Sequence, residues 1–226
     1  GGCVFRAYRW EPACVSLGRN QPTTDRLGGA PVNKLRPGTD VVRRPTGGRA
    51  VFHGPELTYA FVSPDRAFGG PRGIYHAVHA SLARALRGLG VPLDEDAGAE
   101  GSANRLALDL EECFVSPAPG EIMARGRKLV GSAQRRHRGA VLQHGSVLFV
   151  NRQARASESG EGGESAIGLD ELGIDISFEA LRRHFADELG RELGVDGAEA
   201  EPPSDIVDLA ASLEARYATP DWTWRR

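Results

Sequence analysis

Apolar and polar residues alternate through the first two thirds of the chain, and a three-to-four-residue apolar spacing takes over near its end. Residues 3–10 (Cys-Val-Phe-Arg-Ala-Tyr-Arg-Trp) alternate and are rich in β-formers, which predicts a strand. Glu11-Pro12 turns it, and residues 13–17 predict a second short strand. Residues 41–44 and 57–62 predict two more, separated by a glycine-bearing turn. Between Ile74 and Leu89 the apolar side chains fall at 74, 78, 82, 85, 86 and 89, one stripe of an amphipathic helix. Gly88 and Gly90 close it. Residues 94–103 are acidic and small and read as an exposed loop, and 105–115 read as a strand. Residues 121–124, 128–133 and 140–150 then predict an antiparallel group joined through Gly126 and Gly139.

The low-complexity stretch 154–166 (Ala-Arg-Ala-Ser-Glu-Ser-Gly-Glu-Gly-Gly-Glu-Ser-Ala) predicts a flexible linker. Beyond it, Phe178, Leu181, Phe185, Leu189 and Leu193 form a helical stripe that begins after Ser177. Ser204 is the expected cap of a last helix carrying Ile206, Leu209, Ala210, Leu213 and Tyr217. A helical C-terminal part over 177–217 is therefore expected. Strands first and helices last argue an α+β fold, with a mixed, largely antiparallel sheet flanked by helices. No internal repeat is evident, and a length of 226 residues suits a single domain over 1–226.

Composition narrows the partners. With 28 Lys and Arg against 30 Asp and Glu, the net charge of −2 gives no general attraction to nucleic acid or an anionic membrane, so neither is an expected partner. Cys3, Cys14 and Cys113 are widely spaced, with no CxxC pair or Cys/His metal spacing, so no metal is expected. Gly-Gly-Cys-Val is not a charged-then-apolar leader, and no apolar stretch approaches the ~20 residues that span a bilayer. The expectation is a soluble protein of the reducing cytoplasm.

Two polar, glycine-bearing segments carry the candidate chemistry. One is Gly126-Arg127-Lys128-Leu129-Val130-Gly131-Ser132-Ala133-Gln134-Arg135-Arg136, answered by Gln143-His144-Gly145-Ser146; the other is Arg43-Arg44-Pro45-Thr46-Gly47-Gly48-Arg49-Ala50-Val51-Phe52-His53. Together they suggest a buried ligand with a carbonyl or phosphate, for which one lysine and one cysteine suit acyl chemistry. Residue type alone allows plainer roles. Cys113 reads as a small core residue, Lys128 as a surface lysine beside a turn, Gly47-Gly48 as a tight turn, and His53, His144 and Tyr59 as packing. Arg135-Arg136-His137-Arg138 is either a solvated hairpin end or a docking patch for an acidic partner.

Four segments, in order and at compatible spacing, tip that balance. They are Arg6 to Pro12 with Ser16-Leu17-Gly18-Arg19-Asn20-Gln21; Arg43 to His53 with Glu56-Leu57-Thr58-Tyr59; Cys113-Phe114-Val115-Ser116-Pro117; and Gly126 to Arg135 with Gln143 to Ser146. This set resembles the biotin/lipoate ligase superfamily, most closely its cysteine-dependent octanoyltransferases of the M type. The resemblance implies a catalytic domain like those of class II aminoacyl-tRNA synthetases and biotin ligases. It implies octanoyl transfer from acyl carrier protein to a lysine of a lipoyl-domain protein, such as the glycine cleavage H protein or an E2 subunit. Cys113 would be the nucleophile and Lys128 the group that polarises the carbonyl. Arg43, Arg44, Thr46, Gly47, Gly48, His53, Tyr59, Gly131, Ser132, Ala133, His144 and Gly145 would form the substrate pocket.

No cofactor is then required. ATP and magnesium would enter only if the chain were an ATP-dependent lipoate ligase, in which a third glycine more often stands where this chain has Arg49. An amidotransferase moving lipoyl groups between carrier proteins is also compatible with these residues, as is a non-catalytic carrier-binding module. The sequence begins after the family's usual leading helix, with its Asn-Met-Ala-like run, and the region after residue 150 does not resemble the extra C-terminal domain of many ATP-dependent ligases.

Overall fold

The computed structural model describes residues 2–23, 26–27, 30–31, 38–95, 121–153 and 164–225. The first part of the chain runs β1 (Val4–Tyr8), β2 (Cys14–Leu17), β3 (Arg26–Leu27), β4 (Ala30–Pro31), β5 (Asp40–Arg43), β6 (Val51–His53), β7 (Glu56–Pro64) and α1 (Pro71–Gly88). Then follow β8 (Met123–Ala124), β9 (Arg127–Lys128), β10 (Val130–His137), β11 (Ala140–Leu148), α2 (Phe178–Leu193), α3 (Ser204–Tyr217) and α4 (Pro220–Thr223).

Four strands in the order β1-β7-β11-β10 form an antiparallel sheet. The strands β5-β2-β6 form a second sheet, with β2 parallel to β5 and antiparallel to β6. The class is α+β with mixed, largely antiparallel sheets and helices, as the order of elements predicts.

Period-two alternation gives the larger sheet two chemically different faces. Leu57, Tyr59 and Phe61 of β7 and Val141 and Val147 of β11 are buried in one apolar cluster with Ile74, Val78 and Leu82 of α1 and Leu181, Phe185 and Leu189 of α2. Phe185 meets Phe5 and Tyr59 edge-on, with ring centres 5.0 and 5.2 Å apart. Burying side chains of this size contributes on the order of 2 kcal/mol each. The opposite face carries Thr58 beside Ser146, and Gly131 and Ala133 where bulk would fill the space between the sheets. The alternation that builds the core therefore leaves small and polar residues facing the second sheet.

Helix ends follow local chemistry. Ser177 caps α2 by accepting from Ala180 N at 3.1 Å, and Gly194 ends it in the left-handed region at φ 64°. The first helix begins at Pro71, three residues before its apolar stripe, because proline fits the first helical turn.

Several expectations need correction. The predicted strand over 128–133 is two strands: Arg125 (φ 53°) and Gly126 (φ 69°) turn β8 back into β9, and β10 starts at Val130. Asp94 fixes that turn by accepting from the amides of Arg125 and Gly126 at 2.9 and 3.0 Å. The last residues of the predicted linker, 164–166, are part of the fold, with Ala166 buried and bridged to Lys128. Pro203, not Ser204, is the N-cap of α3, and no side-chain capping bond forms there. The α3 stripe faces solvent, with Ile206 and Leu209 about half exposed. The helical part is also interrupted, since residues 194–203 are not helical. Strand β6 and helix α4 have no counterpart in the sequence pattern. The predicted strand 105–115, residues 96–103 of the predicted loop and 154–163 of the predicted linker lie outside the described residues. Among the described residues, no helix is long and apolar enough to cross a membrane.

One close backbone approach ties the second sheet to the glycine pair. A Cβ on Gly18 would stand 1.6 Å from the carbonyl oxygen of Gly48, itself at φ 90°. Gly18→Ala should therefore lower unfolding free energy by about 2 kcal/mol or more. Gly88→Ala, where an added Cβ meets nothing within 4 Å, should stay within about 0.5 kcal/mol of the parent. Chemical denaturation of the two variants checks this.

Candidate active site

A cavity of about 280 Å³ opens between the two sheets. Its walls come from Tyr8 and Trp10 at the end of β1, Ser16 of β2, Val42 and Arg43 of β5, Arg44 and Pro45, Val51 and His53 of β6, and Thr58 of β7. Residues Gly131 to Ala133 of β10, His144 to Ser146 of β11, and Tyr217 of α3 complete it. Eight of the expected pocket residues thus line one space: Arg43, Arg44, His53, Gly131, Ser132, Ala133, His144 and Gly145.

Thr46, Gly47, Gly48 and Tyr59 stand just behind that lining. Thr46 Oγ1 is 2.5 Å from His144 Nε2, and Tyr59 OH is 2.8 Å from Ser132 Oγ. The Gly47 carbonyl accepts from Arg44 Nη2 at 2.8 Å, and Gly48 lies against Gly18. A Cβ on Gly145 would come within 2.8 Å of Gly131 O, Ser132 Oγ and Tyr59 Cε1, so only glycine fits there.

Lys128 is not part of the wall. It is 3% exposed in β9, three residues ahead of Gly131, and its Nζ is ion-paired with Glu121 Oε1. Its backbone is held on both sides, with Lys128 N donating to Ser165 O at 2.9 Å and Ile167 N donating to Lys128 O at 3.0 Å. Such a lysine is a fixed point charge, since neither its backbone nor its head is free to wander. Cys113 lies outside the described residues.

A second buried carboxylate, Glu56, organises three residues of the wall. Its Oε1 lies 2.7 Å from His53 Nδ1 and accepts from Thr58 Oγ1 at 2.5 Å and Ser146 Oγ at 2.8 Å. With Nδ1–H directed at the carboxylate, His53 turns Nε2 to Ser16 Oγ at 2.7 Å, while Trp10 stacks on the ring at 4.3 Å. Arg44 Nη1 donates to Ser16 O and Oγ at 2.9 and 3.1 Å. Ser16, Trp10, Glu56, Ser146 and Glu121 were not singled out as site residues from the sequence. The signal available was the short His53–Glu56 spacing between two strands, which puts both side chains on one surface.

The basic run 135–138 divides. Arg136 pairs with Asp65 at 2.7 Å on the surface, Arg138 occupies a hairpin turn at φ 48°, and Arg135 Nη1 reaches the Pro45 carbonyl at 3.3 Å beside the cavity. Cys14 is buried in β2; burial, then Glu56 and Asp40, push its thiol up to about 12, which removes it as a thiolate nucleophile. Among the described residues, no group of three metal-ligating side chains gathers.

The model of the lipoyl protein ligase A/B catalytic domain matches residues 1–165. The chain belongs to that family. It is 32% identical to the octanoyltransferase LipM of Kyrpidia tusciae over 99% of its own length and 87% of that protein. The fold matches lipoate-protein ligase A bound with ATP at a TM-score of 0.77, with 20% identity over 99% of this chain and 86% of that one. It also matches a bi-partite lipoate protein ligase of Thermoplasma acidophilum at a TM-score of 0.73, with 18% identity over 99% of this chain and 84% of that one. At that identity the structures show the shared fold.

His144 gives this family member an acid-labile element. Burial, followed by the charges of Arg44 and His53, drives its pKa down from 6.5 to about 3. The unfolded chain binds the proton more readily than the fold between those values, so this contribution is complete above about pH 6.5 and shrinks as pH falls toward 3. Stability should decline by up to about 1.4 kcal/mol per pH unit in that window. His144→Gln should flatten that slope, as read from denaturation midpoints between pH 7 and pH 4.

Proposed function

We propose that this octanoyltransferase of lipoate biosynthesis takes its octanoyl group from acyl carrier protein and passes it, through a thioester on Cys113, to a lysine of a lipoyl-domain protein. The likeness to LipM along 99% of the chain carries this reading. The cavity between the sheets supports it, because Gly131, Ala133, Val42 and Val51 leave a narrow space with apolar walls suited to a short acyl chain.

In the first step the Cys113 thiolate attacks the carbonyl of the carrier thioester. The carrier departs as a thiolate that takes up the proton Cys113 gave up, and the octanoyl group stays on sulfur. Thioester for thioester is nearly balanced in free energy. In the second step the acceptor amine attacks the same carbonyl, the amide forms, and Cys113 departs as the thiol. Amide formation is downhill, so the cycle uses no nucleotide. Lys128 stabilises the negative charge on the carbonyl oxygen in both steps. Glu121 holds Nζ in place for that role. Arg43, Arg44, Thr46, Gly47, Gly48, His53, Tyr59, Gly131, Ser132, Ala133, His144 and Gly145 shape and line the acyl pocket. The site needs no metal, and the reaction belongs in the cytoplasm, where the carrier is charged.

Intact-mass spectrometry after mixing with octanoyl-carrier, without nucleotide, is the test. One octanoyl addition is expected, absent in Cys113→Ala and formed about 100-fold more slowly in Lys128→Ala. Lys128→Ala removes the ammonium ion-paired with buried Glu121, so a loss of about 3 kcal/mol in stability should accompany it, and loading is compared at a temperature where both proteins are folded. No adduct, together with ATP-dependent transfer of free octanoate, would replace the transferase with a ligase.

A further inference from the structure

Five arginines from five parts of the chain converge on one edge of the cavity: Arg19 after β2, Arg43 in β5, Arg135 in β10, Arg216 in α3 and Arg225 after α4. Arg43 lines the cavity and is 3% exposed. Its Nη1 donates to the carbonyls of Gly18 and Gln21 at 2.6 and 2.8 Å, and its Nε to that of Thr223 at 2.8 Å. Its Nη2, equally buried, has no hydrogen-bond partner among the described residues.

Helix α4 closes over this spot. Trp222 Nε1 donates to the Arg43 carbonyl at 2.8 Å, and the indole then carries two guanidiniums, Arg225 Cζ at 3.5 Å from the ring centre and Arg216 Cζ at 5.3 Å. Arg225 Nη2 donates to Arg19 O at 3.3 Å. Arg135 reaches the carbonyl of Pro45, which also lines the cavity.

Among the described residues none of the five is ion-paired with a carboxylate, although Glu214 and Asp221 lie on α3 and α4. The crowding is felt in the charges themselves. Burial, then Arg225, pulls the Arg43 guanidinium below its ordinary value. Burial, then Arg19 and Arg216, with Arg135 adding to them against an opposing pull from Tyr217, does the same to Arg225. Like charges gathered without a counter-charge are costly unless an anion arrives to share them. A buried guanidinium with one unused donor, beside four more guanidiniums, is best met by an oxygen-rich anion whose several oxygens different arginines can share. The flat acidic surface of a protein does not reach a donor as deep as Arg43 Nη2, which favours a group carried on a thin arm.

We propose that these five arginines form a phosphate-binding rim that takes the phosphodiester of the carrier protein's phosphopantetheine arm. This rests on the carrier-bound donor proposed above. The rim holds the arm while its acyl end occupies the cavity. It also explains why a chain without net positive charge concentrates arginines lacking carboxylate partners at this edge.

Calorimetry with the intact protein at low salt tests it, using 4′-phosphopantetheine, pantetheine, coenzyme A and carrier protein lacking the arm. Phosphopantetheine should bind at least about tenfold more tightly than pantetheine, and the double variant Arg216→Gln/Arg225→Gln should erase that difference. Arg182→Gln/Arg191→Gln, at two surface arginines on α2 paired with Glu179 and Glu188, should preserve it and so controls for net charge.

Equal binding of phosphopantetheine and pantetheine, or a preference that survives in the double variant, overturns the proposal. A preference shown only by coenzyme A also overturns it, by placing the recognised phosphates elsewhere. So does carrier lacking the arm, if its binding is lost in the same double variant, since a carboxylate surface is then what the arginines meet. Loading of the parent protein by octanoyl-pantetheine is followed in parallel by intact mass. A phosphate preference without loading supports the rim and counts against the transferase reading; loading without a phosphate preference does the reverse.

Discussion

The pairing of β7 with β11, rung by rung from Glu56↔Leu148 to Pro64↔Ala140, sets the chemistry of everything around it. A slip of one residue would exchange the two faces. Tyr59 and Phe61 would then point at the second sheet, and Thr58 and Ser146 would lie in the apolar cluster against α1 and α2. In the observed register the aromatic side chains lock both helices to one side, and the hydroxyls reach Glu56 on the other. Core and cavity are thus two consequences of one alignment. Misalignment would be felt in both places at once, which makes the register hard to lose.

Two buried carboxylates divide the work around that cavity. Glu121 meets the ammonium of Lys128 within the small β8–β9 hairpin, and Glu56 gathers His53, Thr58 and Ser146. Removing a charge from water is expensive unless partners replace the solvent. Each carboxylate is therefore best understood through what it orients. Glu56 fixes the ring of His53 and, through it, Ser16. Glu121 fixes Nζ of a lysine whose backbone is already bonded on both sides. His144 follows a different principle: it is held neutral by burial and by two neighbouring charges, and serves as a hydroxyl partner for Thr46.

Much of the fold was legible because its signals are local. The alternation in residues 3–10 and 57–62, the stripe from Ile74 to Leu89, and the cap at Ser177 each report a pattern that neighbouring residues complete. Part of the cavity lining was legible for a different reason: motifs in order bring Arg43, Arg44, His53, Gly131 to Ala133, His144 and Gly145 to one space. What escaped depends on partners far apart in the chain. The turn between β8 and β9 needs Asp94, more than thirty residues upstream, to hold its amides. The burial of Ala166 needs the edge of β9. The α3 stripe looks like a core-facing helix in sequence, and no periodicity reveals that it faces solvent. Trp222 and the arginines around it are invisible to pattern reading, since nothing near residue 222 hints at Arg43.

The distribution of charge around Lys128 and the arginine rim bears on how the proposed transfer is driven. Exchange of one thioester for another and then for an amide needs no external energy, so the protein's task is to place charges and exclude water. A lysine that is fixed at its backbone and at Nζ meets that requirement with little reorganisation when a carbonyl oxygen gains charge. It would be a poor choice for a group that must swing between a nucleotide and an acyl chain. In the proposed rim, arginines without a carboxylate partner among the described residues would meet the complementary requirement, attracting an anionic arm from solution and leaving the neutral acyl end to the apolar walls. In the proposed scheme the two sets of charges do not compete, with the buried lysine assigned to the carbonyl and the arginines to the arm that delivers it.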